Sequence, residues 1–161
     1  MRIYHGSLEK VTAPEIREPN RPLDYGSGFY TTTSEEQATT WVLRRMKEKK
    51  ATHGYVNVYE LQEEQVKALK TLVFDKPTES WVDFVMANRT QKGYIHDYDI
   101  VYGPVANVRV YVAFALYESG VLSKQNLIAE LKTYKLVDQY LFHTEQSLQC
   151  LNFIEAKEVT L

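Results

Sequence analysis

The sequence predicts an α+β domain with a largely antiparallel sheet. Three observations carry that expectation. Strand-like and helix-like runs are mixed without the regular strand–helix–strand alternation of a parallel sheet. Glycine and proline punctuate the runs at their ends, as in Gly103-Pro104. The 161 residues, 44% hydrophobic and 25% charged, are enough for a single domain over 1–161 to bury a core without disulfides or a structural metal.

Composition removes several functions. The single cysteine, Cys150, excludes an internal disulfide framework and a Cys-rich zinc site. Nineteen Lys and Arg against 21 Asp and Glu leave a net charge of −2, so no strong field is available to hold a polyanion. No run of about 18 apolar residues exists, so no membrane-spanning helix is expected. The opening MRIYHGSLEK has no apolar signal segment, and the expected location is cytoplasmic with no membrane partner. One feature stands out: 12 tyrosines against 6 phenylalanines.

The elements follow in order. Residues 2–5 read as a short strand broken at Gly6. Residues 11–24 hold Pro14, Pro19 and Pro22 and read as irregular chain, since proline removes a backbone donor and restricts the residue before it. A stretch that long without structure points to function. Gly26-Ser27-Gly28 allows a tight turn, and the aromatic and β-branched residues 29–33 favour a strand. Ser34 with Gln37 is a capping-box signature. It opens a helix with Ala38, Trp41, Val42 and Arg45 at helical spacing and a basic last turn of Lys47, Lys49 and Lys50.

Residues 54–61 alternate as a strand, with Tyr55, Asn57 and Tyr59 on one face and Val56 and Val58 on the other. Residues 72–74 form a further strand, and Trp81, Phe84, Val85 and Asn88 mark one face of a helix after Pro77. Residues 99–103 form a strand. Residues 108–117 read both ways: β-branched content favours strand, while Asn107 as a cap and residues 113–116 favour helix. Ser123 caps a helix presenting Leu127, Ile128, Leu131 and Tyr134. Residues 139–143 form a strand, Thr144 caps a short helix bearing Leu148 and Leu151, and residues 153–161 form the last strand.

Polar and aromatic groups gather in three segments at strand ends: His5-Gly6-Ser7, residues 26–33 and residues 139–144. Singly, each has a structural explanation. In order, Tyr4-His5-Gly6-Ser7 and then Tyr25-Gly26-Ser27-Gly28-Phe29-Tyr30-Thr31-Thr32 resemble the ADP-ribosyltransferase fold, in its diphtheria-toxin and poly(ADP-ribose) polymerase branch. Asp138-Gln139-Tyr140-Leu141-Phe142 resembles that branch's third motif, a carboxylate followed by tyrosine and apolar residues. The chain is also similar to small bacterial proteins of this fold, through residues 24–32, 99–106 and 139–144.

The resemblance implies two packed, mainly antiparallel sheets with flanking helices around an NAD cleft. It implies mono-ADP-ribosyl transfer from NAD to a macromolecular acceptor, protein or nucleic acid. A bacterial intracellular toxin with an antitoxin partner would fit the fold family. His5 would hydrogen-bond a ribose hydroxyl. Gly6 would offer its backbone to the nicotinamide carboxamide, and Ser7 and Gly28 complete the NAD-binding motifs. Tyr30 would stack on the nicotinamide, with Tyr25 or Phe29 as the other wall. Arg21 would meet the pyrophosphate, and Asn20 and Asp24 the adenosine ribose. His5, Tyr30 and Gln139 would form the catalytic set.

Gln139 departs from the branch, which commonly has glutamate there. An amide oxygen accepts a hydrogen bond but brings no charge to an oxocarbenium-like transition state, a deficit of about a few kcal/mol. Three readings stay open. Gln139 suffices for a slow mono-transfer; Glu145 supplies the carboxylate; or the protein is a catalytically silent module that binds NAD or ADP-ribose. Strand parity puts Gln139, Leu141 and His143 on one face, which makes His143 a cleft neighbour of Gln139. No metal site is expected: His96 and Asp97 would point to opposite faces of an extended segment.

Overall fold

A computed structural model describes residues 1–17, 26–91, 95–104, 108–134 and 136–161. The class is α+β, with two mainly antiparallel sheets. The first sheet has the order β1-β3-β7, from β1 (Arg2–Ser7), β3 (His53–Leu61) and β7 (Leu151–Thr160). The second has the order β2-β6-β5-β4, from β2 (Phe29–Thr31), β6 (Asp138–Phe142), β5 (Ile100–Pro104) and β4 (Thr71–Val73). Every pairing is antiparallel except β4 with β5. Among the described residues, a bridge between Tyr4 and Thr32 ties the two sheets together.

The layers follow from side-chain alternation. Helix α1 (Glu35–Lys49) lays Ala38, Val42 and Met46 on the first sheet, against Val56 and Tyr4. Ser34 caps it as expected, its hydroxyl accepting from the Gln37 N–H at 3.1 Å, but the capping box is not closed, since the Ser34 N–H donates to Thr32 Oγ1 at 3.1 Å. Lys50 in the left-handed region ends it. The other face of the first sheet presents Ile3, Tyr59 and Leu61 to Phe29, Ile100 and Phe142 of the second, and Leu148, Cys150 and Leu151 join this core. The far face of the second sheet carries Val101 and Leu141 onto α3 (Glu79–Thr90), α4 (Val108–Glu118) and α5 (Lys124–Leu131). Trp81, Phe114, Leu127 and Leu131 are fully buried there. Two short helices, α2 (Glu63–Val66) and α6 (Glu145–Leu148), complete the described elements.

Several expectations change. β1 runs through Gly6 to Ser7 instead of breaking. A Cβ on Gly6 would stand 2.7 Å from Val42 Cγ2 and 2.8 Å from the Ala38 carbonyl, so the glycine serves helix docking, with the strand intact. The ambiguous segment is helix α4, because Val110, Ala113 and Phe114 find a core at helical spacing, which overrides β-branched preference. β6 ends at Phe142, one residue short, since the His143 N–H turns to the Asp99 carbonyl at 2.8 Å. Leu151 opens β7 and does not belong to α6. Asn107, expected as a cap, lies outside the described residues. Among the described residues, no helix is long and apolar enough to cross a membrane.

Candidate active site where two strands part

The candidate site lies where β1 and β2 separate beyond the Tyr4–Thr32 bridge. Tyr4 exchanges both backbone hydrogen bonds with Thr32, at 2.8 and 2.9 Å, so its N–H and C=O face away from β3. Backbone direction alternates along a strand, so Gly6 faces the same way. β2 no longer pairs there, and the N–H and C=O of Gly6 have no hydrogen-bond partner among the described residues. Opposite stands Tyr30, whose backbone also faces β1 by the same alternation. The notch is therefore lined by peptide groups, and its glycine wall keeps its width because α1 is packed directly behind it.

His5 forms the floor. Its Nδ1 lies 2.6 Å from the Tyr30 carbonyl. A carbonyl only accepts, so Nδ1 carries the proton and Nε2 is left as an acceptor. Nε2 has no hydrogen-bond partner among the described residues. Removal from water holds the imidazole at about 4, and the Arg17 guanidinium pushes the same way against the Tyr30 carbonyl. Near neutral pH, His5 is thus an uncharged acceptor. Its ring lies on Phe29, with centroids 4.2 Å apart and 30° between planes.

Phe29 itself is core: 5% exposed and edge-on to Tyr59 at 5.8 Å. The expectation that it forms a wall for the nicotinamide is corrected; it supports His5 from below. Tyr30 lies on the opposite face of β2 and donates its hydroxyl to the Gly26 carbonyl at 2.7 Å. Gly28 is demanded by proximity: a Cβ there would meet the Phe142 carbonyl at 2.8 Å and His143 Nδ1 at 2.9 Å. The Ser7 hydroxyl is engaged locally, accepting from the Glu9 N–H at 3.1 Å. Asn20, Arg21, Asp24 and Tyr25 lie outside the described residues.

Gln139 shares a face of the second sheet with Tyr30. Tyr30 pairs with Leu141, and Gln139 is two residues along β6. The amide is 7% exposed and donates from Nε2 to the Pro104 carbonyl at 3.3 Å, while Oε1 has no hydrogen-bond partner among the described residues. The preceding carboxylate, Asp138, is consumed by structure: it accepts from the Thr33 N–H at 3.2 Å, from the Thr33 hydroxyl, and from the Tyr102 hydroxyl at 2.8 Å. Burial first, and then this carboxylate, push the Tyr102 phenol up to about 12.

Two expected neighbours of Gln139 are elsewhere. His143 follows the opposite end of β6, about 13 Å away at about 3.3 Å per residue. There its Nδ1 meets the Ser27 carbonyl at 2.7 Å. Glu145 is exposed in the first turn of α6, beyond that same end, so it cannot stand in for a carboxylate at position 139. The parity argument fails because β6 stops before His143.

Asn57 supports the notch from beneath without belonging to any of the three motifs. Asn57 is fully buried. Its Oδ1 accepts from the Val11 N–H at 2.9 Å, and its Nδ2 donates to the Glu9 carbonyl at 3.2 Å and the His5 carbonyl at 3.3 Å. It straps the chain after β1 onto the sheet beneath the notch. The signal was present: one amide between valines in Val56-Asn57-Val58, a polar group that must find partners once buried.

A concavity of about 650 Å³ lies at the rim of the second sheet, lined by Thr33, Phe74, Lys76, Tyr102, Leu131 and Asp138 among others. His5, Tyr30 and Gln139 do not line it.

Comparison with known proteins adds a family and no function. Neither the curated proteins nor the solved structures give a match. A family model described as a protein of unknown function, DUF3990, matches residues 1–153. With that match covering almost the whole sequence, this chain belongs to the DUF3990 family.

Proposed function

We propose that the chain is an NAD-dependent mono-ADP-ribosyltransferase with an ADP-ribosyltransferase-like fold. The observation that carries the reading is the open N–H and C=O pair of Gly6 beside the uncharged acceptor His5 and across from Tyr30. A primary carboxamide offers a donor and an acceptor in one plane, which is the complement of one residue's free strand edge. Tyr30 gives an aromatic ring that can stack while its hydroxyl stays satisfied. His5 Nε2 accepts from a ribose hydroxyl, and Gln139 Oε1 accepts from the hydroxyl beside the anomeric carbon. NAD is the substrate. The bond from the anomeric carbon to the nicotinamide nitrogen breaks, nicotinamide leaves neutral, and a bond from the same carbon to an acceptor heteroatom forms as that atom's proton goes to solvent. Holding the leaving group and ribose in one orientation is the main contribution such a site makes.

The acceptor is a macromolecule, protein or nucleic acid. An intracellular toxin held in check by a partner protein is the setting we favour, on the resemblance in residues 3–153. Labelling a lysate with tagged NAD, followed by nuclease or protease digestion, tests the reading. Label that resists one digestion and is lost to the other assigns the acceptor. No labelling and no NAD binding by calorimetry defeats it.

One observation favours a second reading, a silent NAD-binding module. Gln139 is uncharged and its amide is anchored to Pro104. Calorimetric binding without nicotinamide release would select that reading.

A further inference from the structure

We infer that His143 is a positioning residue that fixes the Gly26–Gly28 turn and, through it, the ring of Tyr30. The inference deepens the reading above and rests on Tyr30 being part of the NAD site.

The turn has no strand partner among the described residues, yet two of its carbonyls are taken by side chains. The Gly26 carbonyl accepts from the Tyr30 hydroxyl at 2.7 Å, and the Ser27 carbonyl from His143 Nδ1 at 2.7 Å. Gly28 presses on the same imidazole and on the Phe142 carbonyl. Tyr30 is thus held at both ends, by its place in β2, where it stands opposite Leu141 of β6, and by its hydroxyl on the turn. The ring cannot swing without displacing Gly26, and Gly26 cannot move far while Ser27 is held.

His143 is held firmly enough to act as the anchor. Its N–H donates to the Asp99 carbonyl at 2.8 Å, and the next residue's hydroxyl, Thr144 Oγ1, donates to Asp99 Oδ1 at 2.8 Å. Asp99 Oδ2 in turn accepts from the Lys70 N–H at 2.9 Å. One aspartate therefore links the end of β6 to the start of β4 and β5. The imidazole packs edge-on against His96, with centroids 4.3 Å apart and 88° between planes.

The second nitrogen separates this role from plain packing. His143 Nε2 is fully buried and has no hydrogen-bond partner among the described residues. A buried acceptor without a donor is unfavourable. A leucine of similar size would relieve it, so stability alone does not explain an imidazole here. What leucine lacks is the donor to Ser27. Burial holds His143 at about 4, so the Nδ1 proton is in place without charge near neutral pH.

The experiment compares His143→Leu with His143→Asn in the full chain. Asparagine Nδ2 reproduces the donor near the Nδ1 position; leucine fills the space without one. We expect both variants to melt within a few degrees of wild type. His143→Leu should weaken NAD binding about tenfold, with amide exchange at Gly28 and Tyr30 at least tenfold faster, and His143→Asn should restore both. Normal NAD affinity and unchanged exchange in His143→Leu overturn the inference. So does equal impairment in the two variants, which would mark a packing role. If wild type does not bind NAD, the functional reading fails, and the exchange rates alone decide whether His143 holds the turn.

Discussion

The notch between β1 and β2 and the rim concavity are built oppositely. The rim holds about 650 Å³ and a buried-edge carboxylate, yet that carboxylate is fully engaged by Thr33 and Tyr102. Among the described residues, the notch keeps an open backbone donor and acceptor at Gly6 and an open ring nitrogen at His5, and one residue along β6 from Tyr140 the Gln139 amide oxygen is also without a partner. Unspent hydrogen-bonding capacity, held in fixed geometry, marks a place prepared for a ligand more directly than volume does.

The comparison breaks most sharply at Gly6. In Gly6→Val, added carbons collide with Val42 and the Ala38 carbonyl, so the helix must retreat from the sheet. We expect a loss of about 3 kcal/mol or more of unfolding free energy, read by urea denaturation. A change at the rim, Tyr102→Phe, removes one hydrogen bond to Asp138 and should lower stability by about 1 kcal/mol while leaving NAD affinity unchanged.

Acidification acts through two histidines, His5 in the notch and His143 behind the Gly26–Gly28 turn. His5 and His143 both titrate at about 4 in the fold against about 6.5 in the unfolded chain. The unfolded chain takes up protons first, so their contribution is complete above about pH 6.5 and is lost as pH falls towards 4. The melting temperature should therefore drop steadily over that interval, and the drop should be smaller in His143→Asn. A flat profile from pH 7 to 4 would contradict the buried, neutral assignment of both rings.

Gln139→Glu sharpens the comparison from β6, between the notch and the rim. If the pocket is competent and lacks only charge, a carboxylate there should raise nicotinamide release by about 10- to 100-fold, since each factor of ten is about 1.4 kcal/mol of barrier. An unchanged rate would mean that the amide's anchorage to Pro104, and not its neutrality, sets the activity.

How far the sequence was legible varies by the range of the forces involved. Local signals transferred well. Ser34 and Thr144 cap the helices they announce, and alternation in residues 54–61 gives β3 with its faces correctly assigned. What failed was decided across the fold. Gly6 reads as a strand breaker until α1 arrives behind it. Residues 108–117 read both ways until Trp81 and Leu127 supply a core on the helical face of α4. His143 was placed beside Gln139 by extending β6 one residue too far, and Phe29 was placed in the cleft because its burial against Tyr59 depends on a second sheet. At the candidate site, His5, Gly6, Tyr30 and Gln139 stand out by their pattern in the sequence, and the fold shows where each one lies. The roles of Asn57 and His143 emerged only from their partners, 46 residues away for Val11 and 116 for Ser27.

The central claim is that the notch, and not the rim, takes NAD. Calorimetric titration of NAD into wild type, Tyr30→Ala and Tyr102→Phe tests it most directly. The account predicts one-to-one binding by wild type, an affinity at least 100-fold weaker in Tyr30→Ala, and near-normal affinity in Tyr102→Phe. Binding that survives Tyr30→Ala and is lost in Tyr102→Phe, or no binding by folded wild type, would contradict it.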